Sequence, residues 1–139
     1  MTQGLIRIAA ALVVRPDGRT LLVRKRGTAA FMQPGGKIEA GEDAAAALCR
    51  ELREELGLSV DAGDVQAMGR FSAQAANEPG WMVEADVFYL GWAGPVALAA
   101  EIEEMIWIDP AHPGDLVLAP LTRDRILPLA GARNDDADR

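Results

Sequence analysis

Three glutamates, Glu51, Glu54 and Glu55, fall within five residues, behind a double glycine at Gly35-Gly36 and just ahead of Gly57. On an α-helix, residues at i, i+3 and i+4 share one side. At about 100° per residue the three carboxylates occupy an arc roughly 100° wide. Crowded carboxylates repel one another and oppose helix formation unless cations sit among them. A hard, oxygen-seeking divalent ion, Mg²⁺ or Mn²⁺, is the natural counter-charge. Leu48, Leu52 and Leu56 form an apolar stripe at i, i+4 and i+8 that adjoins the acidic arc, which puts the carboxylates at the rim of a core. Ala44 and Ala47 continue the acidic side with small side chains that leave room for a ligand. Arg50, four residues before Glu54, is spaced to orient it and offset its charge. A solvated, charge-rich helix is the competing reading of such a string; the flanking glycines and the outlying Glu42 favour a site.

The full spacing is Gly36, five residues, Glu42, seven residues, Arg50-Glu51-Leu52, one residue, Glu54-Glu55, one residue, Gly57-Leu58. It resembles a complete Nudix box, with every defining position filled over 23 residues, about a sixth of the chain. A looser MutT-like resemblance covers roughly residues 5 to 128. The resemblance implies hydrolysis of a nucleoside diphosphate linked to another moiety, with a divalent metal as cofactor, Mg²⁺ first and Mn²⁺ as the alternative. By the same resemblance, Glu51, Glu54 and Glu55 are metal ligands together with the backbone carbonyl of Gly35, and the glycines let the main chain come close to the ion. Glu42 is expected to support the loop–helix geometry, and Arg50 to hold the glutamates by hydrogen bonds. Gly36 and Lys37 are expected to be substrate-binding. The general base is expected on a loop before a late strand, within EIEEMIWID. Its candidates are Glu101, Glu103 and Glu104, with Glu101, six residues before Trp107, favoured over Glu104, three before it; Glu55 is a further candidate. Phosphate contacts are expected from Arg24 and Arg26, which alternate at the end of a strand and so share a face.

Substrate is read by elimination among relatives of the resembled family. The proline, tyrosine and pre-box motifs that mark its ADP-ribose, diadenosine polyphosphate and coenzyme A groups have no counterpart at the matching places. This leaves (deoxy)nucleoside triphosphates, with release of a nucleoside monophosphate. The purine-reading asparagine of the sanitising MutT-like enzymes has no clear counterpart in Leu118–Thr122, which reads LAPLT, so an 8-oxo-dGTP specialist is not expected. The alternative is a catalytically silent nucleotide-binding or regulatory module; such modules typically lose box glutamates, and none is lost here.

Composition bounds the rest. The 139 residues suit one domain, expected over 1–130, with a polar tail at 131–139 expected to be disordered. A formal net charge of −7 argues against a general nucleic-acid-binding surface. No apolar run approaches the roughly 20 residues that span a membrane, and the apolar N-terminal stretch reads as a strand because it is β-branched and followed by Pro16-Asp17-Gly18. The single cysteine, Cys49, cannot form an intramolecular disulfide, which suits a reducing cytoplasm, and reads as an inert thiol. A homodimer is compatible with the resemblance.

To position these groups, the sequence predicts strands over Leu5–Val14 and Thr20–Lys25 as an antiparallel pair across the Pro-Asp-Gly turn, and an extended piece near Lys37–Glu39. A helix is expected from about Glu42 to Leu56, capped by Gly57. Strands follow over Met68–Ala75, Met82–Trp92 and Met105–Ile108, and a last helix over Ala119–Leu127. Strands flanked by two helices fit an α+β fold, an α/β/α sandwich around a central mixed β-sheet, the layout the resemblance implies. Phe31, Trp81, Tyr89 and Trp92 are read first as core, and His112 receives no role.

Overall fold

A strand buried on both faces along its second half organises the chain. In the computed structural model, which describes residues 4–131, β1 (Gly4–Val14) buries residues on both of its sides. Ala9, Ala11 and Val13 face one way and Leu12 the other. That explains the apolar run over 8–14, after the exposed Arg7, since a strand covered on both faces has no polar alternate. The other strands are β2 (Thr20–Lys25), β3 (Gly35–Lys37), β4 (Gln66–Gln74), β5 (Trp81–Gly91) and β6 (Ile102–Ile108). They form one mixed sheet in the order β4-β5-β1-β2-β6, with β3 paired to β1 off that path. β1 and β5 run parallel from Gly4↔Trp81 to Val14↔Gly91, and the remaining pairs are antiparallel.

Helices cover both faces. On one side Leu48, Leu52 and Leu56 of α1 (Ala44–Leu56) pack on Ala9, Ala11, Leu21 and Val23. On the other, the helix over 120–131 (α2) lays Leu121, Ile126 and Ala130 on Leu12, Ala85 and Val87, and Leu127 on Leu22, Phe31 and Ile108. The expected sandwich is therefore present. Near its start α2 contains one π-helical turn, Thr122–Ile126. Among the described residues no helix is long and apolar enough to cross a membrane.

Four expectations need correction. The β1–β2 hairpin pairs in register only at Val14↔Thr20. Beyond it the strands diverge, and the wedge is filled by β3 on β1 and by a bridge from Met32 to Val23. α1 begins at Ala44 because the Asp43 side chain accepts the Ala46 N–H at 2.7 Å and acts as its N-cap, leaving Glu42 outside the helix. β6 begins at Ile102, so Glu103 and Glu104 lie in a strand and not on a loop; their partner strand β2 supplies the ladder that extends it. Gly131 ends α2, and the rest of the expected tail, 132–139, lies outside the described residues.

Gly57 closes α1 with φ +67°, its N–H bonded to the Arg53 carbonyl and the following Leu58 N–H to that of Leu52. A Cβ there would meet only ordinary contact with Ala97, so the cost of substitution is conformational. Gly57→Ala is expected to lower stability by about 1–2 kcal/mol, read by urea unfolding; an unchanged midpoint would refute the cap.

Candidate functional site

The acidic helix, the glycine pair and the second strand meet at one place. Gly35 adopts φ +147°, and a Cβ on it would sit 2.1 Å from the Ala9 carbonyl oxygen. A Cβ on Gly36 would lie 2.5 Å from the Glu51 carboxyl carbon. Only glycine at both positions lets β3 run between β1 and α1. The Gly35 N–H then donates to Glu55 Oε1 at 3.0 Å.

Arg50 gathers the remaining carboxylates. Its Nε donates to Glu42 Oε2 at 2.8 Å and its Nη2 to Glu42 Oε1 at 2.9 Å, a two-pronged bond. Nη1 donates to Glu51 Oε1 at 2.9 Å and to Glu54 Oε2 at 3.4 Å, and Nη2 also reaches the Lys37 carbonyl at 3.1 Å. Glu42 Oε1 in turn accepts the Glu39 N–H. The Arg50 hydrogen bonds, then that N–H, hold the Glu42 carboxyl down to about 2.

The three box glutamates occupy different environments. Glu54 is open to solvent, Glu51 lies half-buried against Gly36, and Glu55 is 1% exposed. The rim position expected for all three thus fails for Glu55, whose place beside the leucine stripe carries it into the core. Burial pushes its carboxyl up to about 7, against the pull of Lys25 and the Gly35 N–H, and the charges of Glu51 and Glu101 add to the rise. Lys25 Nζ stands 3.7 Å from Glu55 Oε2.

Lys25 is the cation that sequence reasoning missed. It follows Leu21 and Val23 onto the α1 face at strand period. Arg24 follows Leu22 onto the opposite face, where Glu104 accepts its Nε at 3.0 Å and the Thr28 carbonyl its Nη1 at 2.7 Å. Arg26 bonds the Ala100 carbonyl and the Glu103 carboxylate. Both arginines are thereby engaged by β6 and its approach, away from the box glutamates. Of the acidic trio near β6, Glu101 is the one whose charge reaches Glu55, while Glu103 and Glu104 are paired with Arg26 and Arg24.

The donor chemistry fits a divalent ion: oxygen ligands only, from three carboxylates, with a strand backbone that closes on Glu51 and Glu55 because Gly35 and Gly36 carry no Cβ. As they stand, no three acidic, imidazole or thiol groups among the described residues converge closely enough to hold one. Arg50 draws Glu51 and Glu54 to one side, and Lys25 with the Gly35 N–H draws Glu55 to another. Cys49 takes no part; burial raises its thiol, which disfavours the thiolate. Phe31 is core, and Tyr89 and Trp92 pack against core clusters.

A groove of about 160 Å³ runs from this place, with Gly35, Gly36, Lys25 and Lys37 among its walls. It shares Ile8, Ala10, Met32, Gln33 and Val83 with a smaller cavity of about 80 Å³ that also has Leu121 and Thr122 among its walls.

The family model described as NUDIX domain matches residues 4–129. A Mycobacterium tuberculosis protein whose name includes 8-oxo-dGTP diphosphatase 2 is 33% identical over 135 residues, covering 94% of this chain and 92% of that one. The chain spans 31% and 27% of the length of two curated relatives that it matches locally. The first of these is an RNA pyrophosphohydrolase from Halorhodospira halophila, 45% identical over 58 residues, or 42% of this chain. Among solved structures, a MutT protein from Methanosarcina mazei Go1 superposes with a TM-score of 0.77 at 20% identity, covering 96% of this chain and 98% of that one. At that identity the likeness bears on the fold alone.

The Arg50–Glu42 bond predicts an acid limb of stability. Glu42 titrates at about 2 in the fold against an ordinary 4.5, so its contribution is complete above 4.5 and is lost as pH falls through about 2. Thermal unfolding should therefore separate wild type from Glu42→Gln at neutral pH and bring them together near pH 2; a gap independent of pH would contradict this origin.

Proposed function

The chain belongs to the NUDIX domain family of acid-anhydride hydrolases, and from that premise we propose that it is a Mg²⁺-dependent pyrophosphohydrolase of nucleotides. Its substrate in this reading is a nucleoside (deoxy)triphosphate or another nucleoside diphosphate derivative, cleaved at a phosphoanhydride bond to release a nucleoside monophosphate. The observation that carries the reading is the single guanidinium of Arg50 bonded to Glu42, Glu51 and Glu54, with glycine backbone closed on Glu51 and Glu55. A binding module would have no need of the complete acidic set.

Glu51, Glu54 and Glu55 are the side chains to hold a divalent ion, with the Gly35 carbonyl as a further donor. Such an ion, when bound, supplies a Lewis acid that neutralises phosphate charge and lowers the pKa of water. The protein supplies the rest. Arg50 keeps Glu51 and Glu54 from collapsing onto other partners, and Glu42 in turn fixes Arg50. Lys25 and Lys37, on the groove wall, supply positive charge to the polyphosphate, the role first assigned to Arg24 and Arg26. Gly36 lets that polyphosphate lie against main chain. Glu101 is the favoured general base, taking a proton from the attacking water onto its carboxylate, because it is the β6-approach glutamate felt by Glu55 and is not paired with an arginine as Glu104 is. The relatives, one named as a diphosphatase of an oxidised deoxynucleotide and one as a pyrophosphohydrolase of RNA, support phosphoanhydride cleavage without fixing the substrate. The single cysteine supports a reducing, cytoplasmic setting.

Release of phosphate or pyrophosphate across a nucleotide panel with Mg²⁺ or Mn²⁺ tests this reading; binding without turnover on every member would point to the silent module. Glu54→Gln, at a solvent-exposed position, should retain the fold and lower kcat by about 100-fold or more, and near-normal turnover would remove Glu54 from the ligand set. Lys37→Met should act mainly on KM, raising it by about tenfold; an unchanged KM would return the phosphate role to other residues.

A further inference from the structure

A residue that lines both the groove and the small cavity carries a polar atom without a partner among the described residues. Gln33 is 5% exposed, and its Nε2 has no hydrogen-bond partner among the described residues. Its Oε1 accepts the Thr122 hydroxyl at 2.8 Å, a buried bond between residues 89 apart in sequence. Thr122 is itself 0% exposed and opens the π-helical turn of α2. A buried amide donor left unpaired is costly, and such groups in native folds point to a role. With Oε1 bonded to Thr122, Nε2 is the end of the amide left without a partner.

Gln33 lines both the inner cavity and the groove, together with Ile8, Ala10, Met32 and Val83. The groove's other end is Gly35, Gly36 and Lys25, the polyphosphate end of the proposed site. A nucleotide whose phosphates lie there would lay its base along these apolar walls beside Gln33, whose Nε2 is covered in the unliganded fold and is reached only when its neighbours give way. A carbonyl at purine C6 or pyrimidine C4 would accept from that N–H. At the same position adenine and cytosine carry an amine, which would set donor against donor, beside an Oε1 that already accepts a hydroxyl.

Resting on the hydrolase reading above, we infer that Gln33, oriented by Thr122, is the specificity-determining residue of a nucleobase slot that takes bases presenting a carbonyl at purine C6 or pyrimidine C4. Guanine, uracil and thymine, and purines carrying an oxo group at that edge, belong to the class. Thr122 is a positioning residue that acts through Gln33.

The test has two arms. In the first, kcat/KM is measured with Mg²⁺ for GTP, ATP, UTP and CTP. Wild type is expected to favour GTP over ATP and UTP over CTP by about tenfold or more, the scale of one buried donor left unpaired. Gln33→Leu should bring both ratios to about one, Gln33→Glu should reverse them, and Thr122→Val should reduce them with Gln33 still present. In the second arm, calorimetry with the four nucleoside monophosphates and metal-free protein should give the same order of affinity. Turnover absent on all four, with that order intact, would defeat the hydrolase reading and leave the slot standing. Ratios unchanged in a folded Gln33→Leu, or a wild-type preference for the amine-bearing bases in both arms, would overturn the inference. Should Gln33→Leu fail to fold, ratios unchanged in Thr122→Val and Gln33→Glu would overturn it equally.

Discussion

One guanidinium holds together a loop, a strand end and a helix that would otherwise repel one another. Two carboxylates about 4 Å apart repel by about 4 kcal/mol at the effective dielectric of a protein surface. That exceeds what a helix the length of α1 gains from propensity alone. Arg50 turns this repulsion into cohesion by donating to Glu42, Glu51, Glu54 and the Lys37 carbonyl at once. Its planar fork of five donors suits that work in a way a lysine ammonium does not. The arrangement leaves the helix acidic, as an ion site requires, while allowing the chain to fold before any ion arrives.

The sheet supplies the second half of the constraint. β1 and β2 part beyond Val14↔Thr20, and the opening admits the segment that carries Gln33, Gly35 and Gly36. Because that segment has no side chain at Gly35 or Gly36, its backbone reaches Ala9 on one flank and Glu51 on the other. The same few residues therefore border the acidic cluster, the groove and the inner cavity. In the proposed reading, phosphate chemistry and base selection share one short piece of main chain, so a shift in β3 would disturb both.

Much of this was legible in the sequence, for physical reasons. The box helix, its glycine cap and the strand at β1 follow from local period and turn chemistry. The deep burial of Glu55 was implicit in its place beside Leu48, Leu52 and Leu56, though the arc alone suggested a rim. Lys25 could have been found from its register with Leu21 and Val23. Arg24 and Arg26 drew attention as strand-end arginines, but their carboxylate partners on β6 lie some eighty residues away, as in Arg24–Glu104. The β-bulge at Arg24/Lys25 and the pairing of Glu103 and Glu104 are properties of the assembled sheet. The Gln33–Thr122 bond, likewise, exists only once α2 has packed on the face opposite α1. What stayed hidden was long-range pairing, which no local pattern encodes.

The account stands on the claim that the carboxylates of α1 gather divalent ions. Calorimetric titration of Mn²⁺ into wild type and into the paired Glu51→Gln, Glu54→Gln variant, each with and without a non-hydrolysable nucleotide, tests it most directly. The account predicts saturable uptake by wild type that strengthens with nucleotide and is lost in the variant while its fold persists. Equal uptake by both proteins, or none by wild type even with nucleotide present, would contradict it.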